Sequence, residues 1–389
     1  MLPVKTFMMP AKTVVGNGAA EKTGEEAAKL GLKKCLIVTD KIMVKLNLIN
    51  GIQRSLEQNG LQIAVFDGVA TEPTVDIVLE GIKAYKDNGC DFIVAVGGGS
   101  PIDTAKAVAV MVTNSGSIEN YKGAGKIQKA GVPLMAVPTT AGTGSEVTPY
   151  TIITDTKTNV KMLISSPMVM PTVAIVDPLM SLTSPRSITS TTGLDALTHA
   201  IEAYVSLKAQ PITDNFCLSA IRRISGNLRQ AWANGNNLEA REQMMLGAFE
   251  AGVAFANSSV ALVHGMSRPI GAYFHVPHGA SNAVLLKTVI QFSLIGNPRR
   301  YAEIAQAMGA NLMHKTESEA AQMCVEAVDR LVKDVQVPTM RELGVEKEKL
   351  EKLAPQMTED AIASGSPANN PRQATKEEII KLYSLAYVE

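Results

Sequence analysis

Five short runs in the first half of this 389-residue chain constrain its fold more than any other feature: "KCLIVTD", "LQIAVFDG", "FIVAVGGG", "PLMAVPTT" and "TVAIVDP". Each is almost continuously apolar and rich in β-branched residues, the pattern of strands buried on both faces of a parallel sheet. Helical spacing separates them, as over 74–88, and parallel strands need such crossovers. After "DPLMSLTSPRS" the strand signals nearly vanish, and helical periodicity takes over at 193–205, 213–234, 238–257 and 318–335. The predicted fold class is therefore an α/β domain over 1–185 followed by an all-α domain over 186–389. The boundary falls near Pro185, where Pro178, Pro185 and several Ser/Thr residues interrupt both periodicities. The polar stretch "SGSPANNPRQAT" (364–375) reads as a loop before a terminal helix.

Composition narrows the function. With 46% hydrophobic residues the chain can bury sizeable cores, and with 37 basic and 37 acidic residues no net field draws it to nucleic acid or to an anionic membrane. A small-molecule partner is expected. Cys35, Cys90, Cys217 and Cys324 are scattered without a CxxC pair, which argues against a zinc–thiolate site or a disulfide scaffold and fits a reducing cytoplasm. The N-terminus has no uninterrupted hydrophobic signal region, and no stretch approaches the roughly 18 apolar residues of a membrane span. The expectation is a soluble, cytoplasmic protein.

Two constellations carry chemistry. In "FIVAVGGGSPIDTAK" a strand runs into three glycines and then a helix, and backbone amides at such a helix start can face a phosphate. It is neither a GxGxxG fingerprint nor a GxxxxGK[ST] loop, and a tight turn without ligand is the plain alternative. In "TTGLDALTHAIEAY", Asp195 and His199 are four residues apart, hence on one helix face one turn apart. "HGMSRPIGAYFHVPHG" adds His264, His275 and His278, so four of the five histidines lie between 199 and 278. Imidazoles and a carboxylate without cysteine suit Fe²⁺ or Zn²⁺. Histidines satisfied within a core are the alternative.

Taken together, "GGGSPIDTAK", "PLMAVPTTAGTGSEVT", "GLDALTHAIEAY" and "HGMSRPIGAYFHVPHG" resemble, in order and context, the motifs of the iron-containing (group III) alcohol dehydrogenases, and the resemblance spans nearly the whole chain. It implies an N-terminal domain that binds NAD, an all-α metal-binding domain and dehydroquinate synthase-like architecture. Carried over by residue, it makes Asp195, His199, His264 and His278 the ligands of Fe²⁺ or Zn²⁺. Gly97, Gly98, Gly99 and Ser100 would receive the pyrophosphate, and Thr139, Thr140, Thr143 and Ser145 would line the cofactor. Lys161 and Leu179 match positions at the nicotinamide end. Asp40 matches the position beside the adenosine ribose, where a carboxylate favours NAD over NADP; its plain alternative is a helix N-cap. Asp103 is expected to cap the amides of the helix after the glycines or to stabilise its dipole.

The implied activity is an NAD-dependent alcohol dehydrogenase or aldehyde reductase acting on a short primary alcohol and its aldehyde. The runner-up is a dehydroquinate synthase-like lyase that uses metal and NAD. One departure matters: many relatives carry a histidine four residues after the third ligand, where this chain has Arg268. Arginine stays protonated and cannot act as a general base. It could instead pair with a substrate carboxylate or sulfonate, as in succinic semialdehyde or sulfoacetaldehyde, or with a nearby acid. His275 and Tyr150 are further pocket candidates, a surface histidine and a core aromatic being their plain readings. Family habit implies a homodimer or higher homo-oligomer.

Overall fold

The apolar runs become strands whose alternate side chains enter two different cores. In the computed structural model, which describes residues 4–69, 72–158 and 160–388, the chain divides into two compact units between Thr183 and Ser184. The segment ending at Phe7 belongs with the second unit rather than with the α/β domain.

The first unit carries strands β1 (Lys12–Val15), β2 (Lys34–Val38), β3 (Gln62–Phe66), β4 (Phe92–Gly97), β5 (Gly123–Ala124), β6 (Leu134–Pro138), β7 (Tyr150–Asp155), β8 (Val160–Ser165) and β9 (Val173–Val176). Its helices are α1 (Thr23–Lys29), α2 (Lys41–Lys45), α3 (Asn50–Gln58), α4 (Val75–Asp87) and α5 (Gly99–Thr113). Six strands form an all-parallel sheet in the order β1-β9-β6-β4-β2-β3. On one face Leu36, Val38, Ile93, Ala95 and Ala136 pack with Val78 of α4 and with Ile102, Ala105 and Val108 of α5. On the other, Cys35, Ile37, Val94, Val96, Met135 and Val137 pack with Ala27 of α1 and with Ile52 and Leu56 of α3. Both registers of the inner strands β2, β4, β6 and β9 are buried, which is why their runs read as continuous rather than alternating.

Two features escape the strand signal. Edge strand β1 is only partly covered, so its four residues lack an apolar run. The antiparallel pair β7/β8, extended by β5 into a second, three-stranded sheet, alternates buried with exposed positions.

The second unit is helical: α6 (Arg186–Val205), α7 (Pro211–Ala233), α8 (Leu238–Ser258), α9 (Leu262–Phe274), α10 (His278–Ser293), α11 (Pro298–Ala307), α12 (Glu317–Asp334), α13 (Lys347–Ala363) and α14 (Lys376–Val388). Helix α6 starts seven residues earlier than its apolar spacing predicts. Thr191 and Thr192 return their hydroxyls to the carbonyls of Ser187 and Ile188, both at 2.8 Å, which accommodates the Ser/Thr run inside a helix. The polar stretch 364–375 is a connection that is only partly solvated. Asn369 donates to Ser259 Oγ (3.1 Å) and the Val260 carbonyl (3.0 Å), and Asn370 donates to Ser293 Oγ (2.9 Å), both side chains being buried. No single helix among the described residues is long and apolar enough to cross a membrane.

Candidate active site

Close helix packing assembles the helical unit's polar cluster. At Gly279 a Cβ would lie 2.5 Å from the Thr191 carbonyl oxygen, so only glycine lets the first turn of α10 rest on α6. That contact brings His278, the first residue of α10, beside Asp195. His199 follows Asp195 by one turn of α6, and His264 projects from the first turn of α9. Asp195 Oδ1 lies 3.9 Å from His199 Nε2, 3.6 Å from His264 Nε2 and 3.8 Å from His278 Nε2. One ligand atom from each of the four residues lies within 4.8 Å of all the others. Asp195, His199 and His264 are buried, whereas the His278 side chain is 44% exposed, so the cluster has one wet side.

The donor set fits a divalent cation. Atoms 3.6–3.9 Å apart can both reach an ion whose bonds are roughly 2.0–2.2 Å long, and borderline N/O ligands suit Fe²⁺ and Zn²⁺ alike. Burial pushes the Asp195 carboxyl up, but the His199, His278 and His264 imidazoles outweigh it and hold the group well below the usual carboxylate range. Burial likewise disfavours the His264 imidazolium, yet Glu202 and Asp195 together raise its pKa. The buried Asp195 carboxylate thus favours positive charge beside it, which an imidazolium or a bound cation would supply. His199 is wedged between the rings of Phe255 and His264, at centroid distances of 4.2 and 4.5 Å.

Two neighbours of the cluster were not anticipated. Glu202 is hydrogen-bonded to His264 Nδ1 at 2.5 Å, and the Asn282 amide donates to Asp195 Oδ1 at 2.6 Å. The same amide nitrogen lies 3.1 Å from His264 Nε2 and 3.3 Å from His278 Nε2. The signal that pairs Asp195 with His199 could have found both: Glu202 is seven residues beyond Asp195, and Asn282 is four beyond His278, so each shares a helix face with a cluster residue. Arg268, one turn after His264, donates to Ser366 Oγ at 2.9 Å. Burial lowers its pKa, and the charged group that offsets this is Glu202. His275 is not part of the cluster. It is exposed and ends α9 in a left-handed conformation, φ 56°.

In the α/β unit the glycines build a strand-to-helix turn. Gly97 has φ 150°, and a Cβ there would meet Pro101 Cγ at 2.5 Å. Gly98 is the N-cap of α5, where Gly99 and Ser100 begin. The hydroxyl segment runs alongside: a Cβ on Gly98 would lie 3.3 Å from Thr140 Oγ1, and one on Gly99 3.0 Å from Thr143 Cγ2. Thr139 is tied to the turn through its amide, 3.0 Å from the Gly97 carbonyl.

Asp103 does not cap α5, contrary to expectation. It accepts from Ser145 Oγ (2.5 Å) and from the Ile152 amide (3.0 Å), because it lies past the first turn and faces β7. One turn later Lys106, fully buried and missed in the sequence, donates to Ser145 Oγ (3.0 Å), Thr148 Oγ1 (3.0 Å) and the carbonyls of Thr148 (2.9 Å) and Tyr150 (2.7 Å). Helix α5 thereby anchors the C-terminal end of the hydroxyl segment and the start of β7. Half-buried Tyr150 opens β7. Asp40 N-caps α2, its Oδ1 accepting from the amides of Ile42 (2.8 Å) and Met43 (3.0 Å). Lys161 is ion-paired with Glu72 at 2.5 Å, and Leu179 is 39% exposed in the turn Pro178–Ser181.

A parallel sheet with a glycine turn onto a helix start, on one chain with a three-imidazole, one-carboxylate cluster in a helical unit, defines the class of metal- and dinucleotide-dependent enzymes. The family models for iron-containing alcohol dehydrogenase and for the C-terminal part of the same family match residues 10–178 and 189–387. A 1,3-propanediol dehydrogenase of Citrobacter freundii is 40% identical over 384 residues, covering 98% of either chain. A crystal structure of 1,3-propanediol oxidoreductase superposes with a TM-score of 0.96 at 39% identity, covering 99% of this chain and 100% of the other. Sulfoacetaldehyde reductase from Bifidobacterium kashiwanohense, solved in complex with NAD⁺, has a TM-score of 0.90 at 28% identity, covering 99% of each chain.

The chain belongs to the iron-containing alcohol dehydrogenase family, an oxidoreductase family that uses NAD(H) and a divalent metal. None of these relatives supports the lyase alternative.

Proposed function

We propose that the chain interconverts a short, uncharged primary alcohol, above all a diol, with its aldehyde at the expense of NAD(H). One observation carries the substrate class: the Arg268 guanidinium already donates to Ser366 Oγ, and the charge that acts on it is that of buried Glu202, so an anionic tail there would be repelled by a carboxylate as well as drawn to the guanidinium. The 40% identity to a propanediol dehydrogenase supports the same reading. The alternative, an aldehyde with a carboxylate or sulfonate tail, rests on Arg268 being available to substrate and on the more distant sulfoacetaldehyde reductase.

Asp195, His199, His264 and His278 would hold the divalent ion, which when bound supplies a Lewis acid for a carbonyl or alcohol oxygen. The half-exposed His278 leaves that oxygen an approach from solvent. Gly97, Gly98, Gly99 and Ser100 offer backbone amides and a helix start to a pyrophosphate, and Thr139, Thr140, Thr143 and Ser145 offer short hydroxyls to the rest of the dinucleotide. Asp40 would accept from ribose hydroxyls and repel a 2′-phosphate, which favours NAD over NADP. Arg268 cannot take a proton from the alcohol, so proton transfer does not run through that position.

The test is NADH oxidation by Fe²⁺- or Zn²⁺-loaded protein with 3-hydroxypropanal, succinic semialdehyde and sulfoacetaldehyde in parallel. Higher kcat/KM for 3-hydroxypropanal is expected, and Arg268→Ala should change all three by similar factors. A preference for the anionic aldehydes that disappears in Arg268→Ala would overturn the assignment.

A further inference from the structure

Glu202 lies on the stripe of α6 that carries Asp195 and His199, seven and three residues before it, and is 3% exposed. Its two oxygens are spent on one short stretch of α9. Oε1 accepts from the amides of Val263 (2.6 Å) and His264 (3.4 Å), which as first-turn N–H groups have no carbonyl partner in their own helix. Oε2 is 2.5 Å from His264 Nδ1. An ionised carboxylate only accepts, so Nδ1 must carry the hydrogen, and in the neutral ring that a metal requires Nε2 then keeps its lone pair. That Nε2 is the atom 3.6 Å from Asp195 Oδ1, inside the cluster.

We propose that Glu202 is a positioning residue of the metal site: it fixes the tautomer and ring direction of His264 so that Nε2 is offered to the ion, and it anchors the helix start that carries the ring. The proposal rests on reading Asp195, His199, His264 and His278 as a metal site. Glutamine shows why a carboxylate is required. Its shape is the same, but it has one acceptor and one donor. With its oxygen toward Nδ1, the NH₂ faces the amides of Val263 and His264. With the NH₂ toward Nδ1, the ring must carry its hydrogen on Nε2, where it would block the ligand lone pair. Either arrangement breaks one of the two functions. Removing an outer partner of a metal-bound imidazole typically weakens metal affinity by about 10–100-fold.

The experiment strips the full-length protein with a chelator and titrates it with Co²⁺, following the ligand-field absorption, and with Zn²⁺ against a competing chelator. Circular dichroism verifies the fold. Glu202→Gln is expected to bind both ions about 10–100-fold more weakly than wild type, with a shifted Co²⁺ band. If Glu202→Gln does not fold, Glu202→Asp carries the test: it keeps the charge but withdraws the oxygens, and weaker binding is again expected. Wild-type affinity with an unshifted band in a folded variant overturns the proposal while leaving the metal site standing. Failure of wild type to bind either ion overturns the metal site and this proposal with it.

Discussion

Glu146, in the single turn Ser145–Val147 that follows the hydroxyl segment, is 3% exposed, and burial outweighs the attraction of Lys106 to push its carboxyl from 4.5 up to about 7. Each pKa unit corresponds to about 1.36 kcal/mol, so ionising this side chain costs the folded chain ~3 kcal/mol more than the unfolded one. The folded pKa is the higher of the two. The folded chain therefore holds the proton more tightly, the stabilisation is complete below about pH 4.5, and it declines as pH rises through 7. Glu146→Gln has the shape of the protonated acid and cannot ionise. It should lie within ~1 kcal/mol of wild type at pH 5 and exceed it by about 3 kcal/mol at pH 8, the attraction of Lys106 being already contained in the folded pKa. For a unit of this size, 3 kcal/mol corresponds to a Tm increase of about 6–12 °C. Scanning calorimetry of both proteins at pH 5 and pH 8 measures it. An equal increase at both values, or a decrease at pH 8, would refute the reasoning.

Two further outcomes are expected. Gly97→Ala must place a Cβ at φ 150° and within 2.5 Å of Pro101 Cγ, so a loss of about 3 kcal/mol or more is expected by urea unfolding, together with weaker NADH binding by fluorescence titration. Chelation should abolish activity and lower Tm, since an ion at 100 times its Kd stabilises by ~2.7 kcal/mol; re-addition of Fe²⁺ or Zn²⁺ should restore both, and a chelator-insensitive Tm and activity would count against the metal site.

Much of the site was legible because the four cluster residues declare themselves locally. Asp195 and His199 show their common face through a spacing of four, and His264 and His278 stand out in a chain with only five histidines. The partners of such residues were legible only in part. Glu202 shares the helix face of Asp195 and His199, but nothing in "HAIEAY" names His264 as its partner, and in the α/β unit Lys106 looks like any helix lysine until β7 and the turn before it close over the side chain. Asp103 shows the limit of local inference: helix position made capping the natural reading, whereas its actual partners, Ser145 and Ile152, are more than 40 residues away in sequence.

The sequence by itself determined what depends on periodicity and on residue chemistry: buried parallel strands from unbroken apolar runs, helices from their spacing, an anion-receptive turn from three glycines, and a borderline-metal donor set from imidazoles with a carboxylate. Tertiary structure alone decided which oxygen faces which nitrogen. Glycine at 279 lets α10 rest on α6 closely enough to bring His278 within 4 Å of Asp195, and packing of α9 beside α6 then set Glu202 against His264. Those pairings cross long sequence separations and depend on ångström-scale packing, for which a linear pattern carries no signal.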